Sequence, residues 1–395
     1  MMKASNIRCL EPEHVRHFVC DGKACGAQCC RGWSVVFDAA SCQKYEALPE
    51  DMRRHILERL LPEENPAPGR SVDFHGATDC PFLERDRLCW IQKNCGESYL
   101  SDVCATYPRV YRRIGSGDDA VMERSLVLSC PMAANLALLP KEPMRFHEAG
   151  AGDGRESAVQ NVSISWLDGT AFLALQRKCI AILQDRKQPM DQRLLRLGQI
   201  CRRLDRMQDS AERVMEFLQG EDGCCMEGKR EQMFLPVLLV RWIAGLMEHL
   251  YAQDRENALP PLYLFDALRA AYIPEDDASA AAVAAHYEEA RARHGALLLQ
   301  KHGHLLENYL VQAFWLEAYP CRFAGSFYDN FLAFASLGKM IEFCLLALME
   351  VRQQNLSEQE AVLVIRLIAQ QDEHNHFFKG WLWQYVREHS AGFGK

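Results

Sequence analysis

The cysteines of this chain are concentrated at one end. Eleven of the 17 cysteines lie within the first 130 of 395 residues. Thiolates are the ligands that zinc, copper(I) and iron–sulfur centres prefer. A soft-metal site, and an iron–sulfur cluster first of all, explains this concentration better than hydrophobic packing does. The fold of the first third is therefore constrained by the need to bring distant thiols together.

The expected compartment decides how these cysteines are interpreted. The segment Met1–Phe18 carries charges throughout and has no apolar signal-peptide core, so we expect a cytoplasmic protein. Cytosolic thiols are kept reduced, and an odd total excludes complete pairing within one chain. Redox-active thiols and scattered structural cysteines stay open as alternatives to a metal site.

Composition excludes several function classes. With 49% apolar and 25% charged residues, the chain resembles an ordinary soluble globular protein. A net charge of −8 argues against binding to nucleic acid, because such proteins are usually basic. No stretch approaches the roughly 20 apolar residues that cross a bilayer, so we expect no membrane partner.

The pattern divides the chain into three parts. Residues 1–135 form a loop-rich cysteine module, 136–165 form a linker rich in Pro and Gly, and 166–395 form an all-helical domain. The predicted fold class is therefore mainly α, with a small β-hairpin in the N-terminal module. Within that module we predict a strand at 33–37, a helix over 41–61, and a hairpin made by 109–114 and 121–128.

The helical part shows three recognisable signals. A helix is predicted over 236–251, and a long helical region over 278–318 with a break near Gly303. Ser357 and Glu360 have the spacing of a capping box. Asp372 and His376 are four residues apart, as helix metal ligands can be, but a solvated helix end explains them better.

The cysteine spacing does not match a zinc finger, a radical S-adenosylmethionine enzyme or a ferredoxin. The motifs instead resemble the bacterial flagellin lysine-N-methylases over about the first 135 residues. A shorter part of the pattern is shared with zinc- or iron-chelating cysteine-cluster domains. The helical remainder is also similar in kind to the methylases, notably at Glu307-Asn-Tyr-Leu-Val311. The matching motifs are Phe18-x-Cys20, Cys25, Cys29-Cys30-x-Gly-Trp33, Asp38, Tyr45, Cys80-Pro-Phe-Leu83, Leu88-Cys89-x-Ile91-Gln92, Gly96-Glu97, Leu100, Cys104-x2-Tyr-Pro-Arg109 and Leu128-Ser-Cys-Pro131.

The resemblance implies a cytoplasmic enzyme that methylates lysine side chains of flagellin, with S-adenosylmethionine as methyl donor. It also implies an iron–sulfur cluster, of the four-iron type. A four-iron cluster uses four thiolates, so one centre and two centres both remain open. The ligand pool that the resemblance implies is Cys20, Cys25, Cys29, Cys30, Cys80, Cys89, Cys104 and Cys130.

No motif in the sequence identifies the donor site or the catalytic residue. Gly115-Ser-Gly117 is followed by two aspartates and a short strand, so it indicates a hairpin turn and not a nucleotide loop. An aromatic-rich stretch over 309–334 either fills a helical core or lines a donor or lysine pocket. The candidates for such a pocket are Tyr309, Tyr319 and Tyr328, because a phenol adds a polar group to an aromatic face.

Two other functions fit parts of the pattern. A metal-storage protein or metallochaperone would need only the cysteine module, and an electron-transfer or redox-sensing protein would need only the cluster. A large helical domain with many aromatic residues suits an enzyme that binds a substrate better than either.

Overall fold

The computed structural model describes residues 8–22, 25–31, 35–61, 69–77, 79–115, 120–150, 159–162, 167–207, 210–220, 261–273 and 279–390. The helix predicted over 236–251, the residues 33–34 of the predicted strand and the hairpin turn over 116–119 lie outside this part of the chain. Within it, the predicted fold class is confirmed, because most described residues are helical and the strands belong to the N-terminal region.

Short helices separated by loops characterise the cysteine module. The helix predicted over 41–61 is divided in two, because Pro49 lies between the halves and has no N–H to continue the first of them. The Asp38 carboxylate begins the first half by accepting the Ser41 N–H at 2.8 Å. These helices are α1 (Glu13–Arg16), α2 (Ala39–Glu46), α3 (Glu50–Leu57), α4 (Trp90–Cys95), α5 (Asp102–Thr106) and α6 (Pro131–Leu138).

A five-stranded sheet is larger than the predicted hairpin. The hairpin itself is confirmed, with β4 and β5 antiparallel. The outer strands join from distant segments in the order β6-β1-β5-β4-β7, and β1–β5 and β4–β7 pair in parallel. Two of them, β6 and β7, lie within 136–165, so this segment contributes strands as well as loops. The strands are β1 (Arg8–Pro12), β4 (Arg109–Ile114), β5 (Val121–Leu126), β6 (Phe146–Ala149) and β7 (Val159–Val162), with β2 (Val36–Asp38) and β3 (Gly69–Ser71) in a separate pair.

Long helices make up the C-terminal part. One of them, α11, continues through Gly303, where the sequence predicted a break. The capping box is confirmed, because Ser357 Oγ accepts the Glu360 N–H at 3.2 Å while the Glu360 carboxylate accepts the Ser357 N–H at 2.9 Å. The helices are α7 (Gly169–Leu183), α8 (Met190–Asp205), α9 (Ala211–Gln219), α10 (Pro261–Tyr272), α11 (Ala280–Leu316), α12 (Phe327–Arg352), α13 (Glu358–His374) and α14 (His376–Ser390).

Helix α12 forms the centre of the helical part. Its 26 residues are long and apolar enough to cross a bilayer, so the expectation that no segment reaches this threshold was wrong. The apolar window of the helix is entirely buried by its neighbours. The hydropathy of α12 is therefore explained by its place in the core.

The sheet and the long helices share one hydrophobic core. Leu10, Ile114 and Val121 of the sheet pack in the same cluster as residues of α7, α8, α11 and α12. The end of α11 is bonded directly to β5, because Gln312 Nε2 donates to Leu126 O at 2.7 Å and Trp315 Nε1 donates to Arg124 O at 2.9 Å. These hydrogen bonds fix the position of the sheet relative to α11.

Candidate functional site

Five of the eight predicted ligand cysteines gather near the β2–β3 pair: Cys29, Cys30, Cys80, Cys89 and Cys104, which we call the β2–β3 thiol group. Cys29 Sγ lies 3.8 Å from Cys30 Sγ, and the Cys80 N–H donates to Cys30 O at 2.8 Å. Four of the five pack in one hydrophobic cluster around Phe37 and Phe82. The hydrogen bond with Cys29 and burial raise the pKa of Cys30, and Coulombic interactions with Cys29, Cys80 and Cys89 raise it further, which places the thiols within electrostatic reach of one another.

The other three cysteines form a second set at the start of α6: Cys20, Cys25 and Cys130, the α6 thiol group. Burial raises the pKa of Cys130, and smaller Coulombic interactions with Cys25 and Cys20 raise it further, which places these two thiols near it. The loop that carries the first two is held by Gly22, whose N–H donates to Cys20 Sγ and whose carbonyl accepts from Cys25 Sγ, both at 3.4 Å. The fold therefore divides the predicted ligand pool into sets of five and three.

Backbone N–H groups point at three of these sulfurs. Cys89 and Cys130 immediately precede helices α4 and α6, where the first N–H groups have no partner within the helix. Such donors stabilise a thiolate and are typical surroundings of a metal-bound sulfur. The donors are Phe82 for Cys80, Ile91 and Gln92 for Cys89, and Met132 and Ala133 for Cys130.

Burial works against these donors. Desolvation raises the pKa of Cys80 and of Cys130 to about 11, and that of Cys104 to about 12. Cys29 differs, because the hydrogen bond from Cys30 lowers its pKa to about 7. Most of these thiols therefore stay protonated near neutral pH unless a cation is bound beside them.

The thiols are gathered without reaching coordination spacing. Over the ranges described above, no three His, Cys, Asp or Glu side chains are placed to hold a metal ion. No two cysteines in these ranges are joined by a disulfide bond. The alternative of disulfide pairing thus finds no support there, and the ligand role of the eight cysteines stays a prediction.

The turn that carries Cys130 is held by the helical domain. The Glu373 carboxylate, at the end of α13, accepts the N–H groups of Leu128 at 2.6 Å and Ser129 at 2.9 Å. His374 Nε2 lies 2.7 Å from Ser129 Oγ. Arg366 donates to the Ser129 carbonyl at 3.3 Å. One helix of the C-terminal domain thereby fixes the backbone beside a predicted ligand.

The three tyrosines proposed as pocket residues lie in different surroundings. Tyr309 is 1% exposed and its hydroxyl has no hydrogen-bond partner among the described residues. Tyr319 is fully buried and accepts from Arg322 at 2.7 Å, while Tyr328 accepts from Arg202 at 2.8 Å. The fold does not bring the three together with the thiols, and their catalytic role stays a prediction.

Asp372 lies in a buried ionic network and not at a solvated helix end, so that interpretation was wrong. The carboxylate is 2% exposed and accepts from Arg322 at 2.8 Å. Arg322 also pairs with Glu317 at 2.9 Å. No local pattern predicted this network, because Arg322 lies 50 residues away from Asp372 along the chain.

Two cavities lie beside the helical domain. One of about 950 Å³ is bounded by the loop before α8, by α11 and by the start of α13, and its rim carries Lys141, Lys187 and Lys301. At its floor, Glu307 of the predicted Glu307–Val311 motif is 2% exposed and pairs with Arg186 and Arg193. A second cavity of about 420 Å³ lies where β1 and β6 meet α7 and the end of α11.

Thiols grouped beside the β2–β3 pair and at the start of α6, next to a small mixed sheet that shares its core with long helices, define a cysteine-rich, mainly α-helical protein. Sequence comparison then identifies the family. The model of the FliB lysine N-methylase C-terminal domain matches residues 176–393, which is more than half of the chain. The chain belongs to this family.

Three curated relatives are similar to this chain over a stretch of 141 residues. The flagellar biosynthetic protein FliU of Salmonella muenchen is 33% identical there, over 35% of this chain and 81% of that protein. Two lysine-N-methylases, from Salmonella choleraesuis and Salmonella typhimurium, are 33% and 32% identical over 35% of this chain. The aligned stretch spans about a third of their length, 34% in each. No solved structure matches the chain.

Proposed function

We propose that this chain transfers methyl groups from S-adenosylmethionine to lysine side chains of flagellin in the cytoplasm. The observation that carries the proposal is the family match over 176–393. The flagellar substrate is supported by the name of FliU, a flagellar biosynthetic protein that shares the 141-residue stretch. The cavity of about 420 Å³ at the junction of the sheet and the helices suits a small-molecule substrate, since small-molecule sites favour such interfaces.

The reaction sets clear demands on the site. A free lysine amine has a pKa of about 10.4, so its proton must first pass to a base or to solvent. The nitrogen lone pair then attacks the methyl carbon, a C–N bond forms, and the C–S bond breaks with its electron pair remaining on sulfur. The products are methyl-lysine and S-adenosylhomocysteine. Much of the acceleration comes from holding nitrogen, carbon and sulfur in line.

An iron–sulfur cluster bound by the cysteine module is part of the proposal. The β2–β3 thiol group offers more than the four thiolates that a four-iron cluster uses, and backbone N–H groups already point at Cys80 and Cys89. Such a cluster would tie together chain segments that are distant in sequence and supply folding energy to a loop-rich module.

The activity is tested with protein purified without oxygen. Purified flagellin is mixed with the enzyme and S-adenosylmethionine, and intact-mass spectrometry follows the gain of methyl groups on flagellin. Peptide mapping then locates the modified lysines. We expect a gain that requires both enzyme and donor. No gain with protein that retains its native metal content contradicts the proposed function.

The cluster is tested separately, by iron and sulfide analysis and by the visible absorption spectrum. Cys30→Ser and Cys89→Ser should lower the iron and sulfide content per chain. Cys42→Ser is the matched control, because Cys42 packs in the same hydrophobic cluster but lies outside the family motifs. Bound zinc without sulfide, or equal iron content in all three variants, rules out the cluster and leaves methyl transfer standing.

A further inference from the structure

We propose that the cavity of about 420 Å³ between the sheet and α7 is the methyl-donor site, and we call it the Trp315 pocket. The assignment rests on the proposed function, and it adds where the methyl donor binds and which residues bind it. The residues that carry the argument are Phe146, Glu148, Arg177, Gln184 and Trp315. The ligand is a nucleoside with an amino-acid tail, which combines a flat aromatic ring with a zwitterion.

The aromatic wall of this pocket is built in advance of any ligand. Trp315 is 2% exposed, and its ring lies 4.6 Å from that of Phe146, centroid to centroid. The indole Nε1 donates to Arg124 O at 2.9 Å, and the Trp315 carbonyl accepts from Arg112 at 2.8 Å. The Trp315 ring therefore cannot turn without breaking its buried hydrogen bond to Arg124, and it holds the half-buried ring of Phe146 in place. A fixed aromatic surface such as that of Phe146 binds a base or a sulfonium at little entropic cost.

Opposite charges flank this wall. Arg177 lies exposed on α7 and makes no ion pair with another described residue. Glu148 of β6 lies at the same rim, where it pairs with Arg8. A free guanidinium binds a carboxylate in a bidentate manner, and a carboxylate binds an ammonium. The rim thus offers Arg177 to a carboxylate, whereas Glu148 binds an ammonium only in place of Arg8. The Gln184 amide nitrogen already donates to Met144 O at 2.9 Å, so its oxygen is the polar group left for ribose hydroxyls.

The larger cavity fits this ligand less well. Its lining contains no Phe, Tyr or Trp side chain. Its two arginines are already paired with Glu307, so its remaining charge lies on lysines at the rim. A nucleoside would find cations there but no aromatic face. Both cavities fall within the size range usual for small-molecule sites, about 300–1,000 Å³, so the aromatic residues and not the volume favour the Trp315 pocket.

Equilibrium binding of S-adenosylhomocysteine, the reaction product, tests the assignment by isothermal calorimetry on the intact, metal-loaded chain. Arg177→Glu should weaken binding about tenfold or more, because it removes a charge-assisted contact and adds repulsion. Phe146→Ala should weaken binding through loss of the ring. Lys187→Glu makes the same charge change at the rim of the larger cavity and should leave binding unchanged. Circular dichroism confirms that each variant is folded.

The outcomes separate this site from the proposed function. Binding by the wild type that is unaffected by Arg177→Glu and Phe146→Ala overturns the site and leaves the enzyme class intact. The same holds if Lys187→Glu is the variant that weakens binding. Wild-type protein that binds neither donor nor product, and does not methylate flagellin, contradicts the proposed function and the site together.

Discussion

Replacing Glu307 with glutamine should strongly destabilise the helical domain, because this buried carboxylate holds two arginines. Its oxygens accept from Arg186 Nε at 3.0 Å and Arg186 Nη2 at 2.8 Å, and from Arg193 Nη1 at 2.7 Å. The side chain of Glu307 is 3% exposed and that of Arg193 is 9% exposed. The substitution keeps the volume and one acceptor but removes the charge that compensates both guanidinium groups.

The size of the loss in unfolding free energy depends on which arginine charge stays uncompensated after the substitution. Removing one partner of a buried ion pair costs about 3–5 kcal/mol, because the other charge stays uncompensated. Arg186 is 39% exposed and can be solvated again, whereas Arg193 cannot. Glutamine also still accepts one hydrogen bond. We therefore expect a loss near the lower limit, about 3 kcal/mol in the free energy of unfolding.

Urea denaturation followed by circular dichroism measures this loss. Glu358→Gln is the control, because Glu358 lies 3.9 Å from Lys141 with both side chains largely exposed, and such pairs contribute about 0–1 kcal/mol. Adding Arg193→Met to Glu307→Gln should recover part of the stability, since the buried charge is then absent. A loss below about 1 kcal/mol, or equal losses in the two glutamine variants, would refute the reasoning.

Burial raises the pKa of Glu123 from 4.5 to about 7. Between these pH values the folded state keeps a proton on Glu123 that the unfolded state has lost, so the free energy of unfolding falls as pH rises. Glu123→Gln should flatten this dependence, worth about 3 kcal/mol over the window, in unfolding curves from pH 4 to 8. Gly198→Ala should lower the melting temperature, because the new Cβ would lie 2.6 Å from the Phe331 ring, a clash that outweighs the helix propensity gained, about 1 kcal/mol. Gly303→Ala, with no described atom within 4 Å of its Cβ, should raise the melting temperature. Ser357→Ala should cost about 1 kcal/mol of capping, measured as faster amide exchange in the first turn of α13.

Local signals in the sequence predicted local structure well. The hairpin of β4 and β5, the helical C-terminal part and the capping box at Ser357 are all confirmed. Each of these depends on residues close together in the chain. The five-stranded sheet was missed because β1 and β7 are short and pair with strands far away in sequence. The break at Gly303 was predicted from propensity, which packing along α11 overrides.

The sequence predicted only those parts of the candidate site that contain cysteine, a rare residue with characteristic spacing. Cysteine spacing indicated which thiols to consider, but not that they fall into sets of five and three. The Trp315 pocket draws on two strands and two helices, and among its residues only Trp315 belonged to a segment that the sequence singled out. Arg177 has no local pattern that distinguishes it from any other exposed arginine on a helix.

The hydrogen bonds from Leu128 and Ser129 to Glu373 join the turn that carries Cys130 to the end of α13. Separating the chain between Ser129 and Glu373 would leave the N–H groups of Leu128 and Ser129 without their acceptor on one fragment. On the other fragment the Glu373 carboxylate would lose its donors, and an unpaired polar group is costly where water cannot reach it. A displacement of α13 when a protein docks on the helices would be transmitted along this contact to the sulfur of Cys130. Binding of a protein to the helices should therefore change the reactivity of the Cys130 thiol, and the two should be measured together.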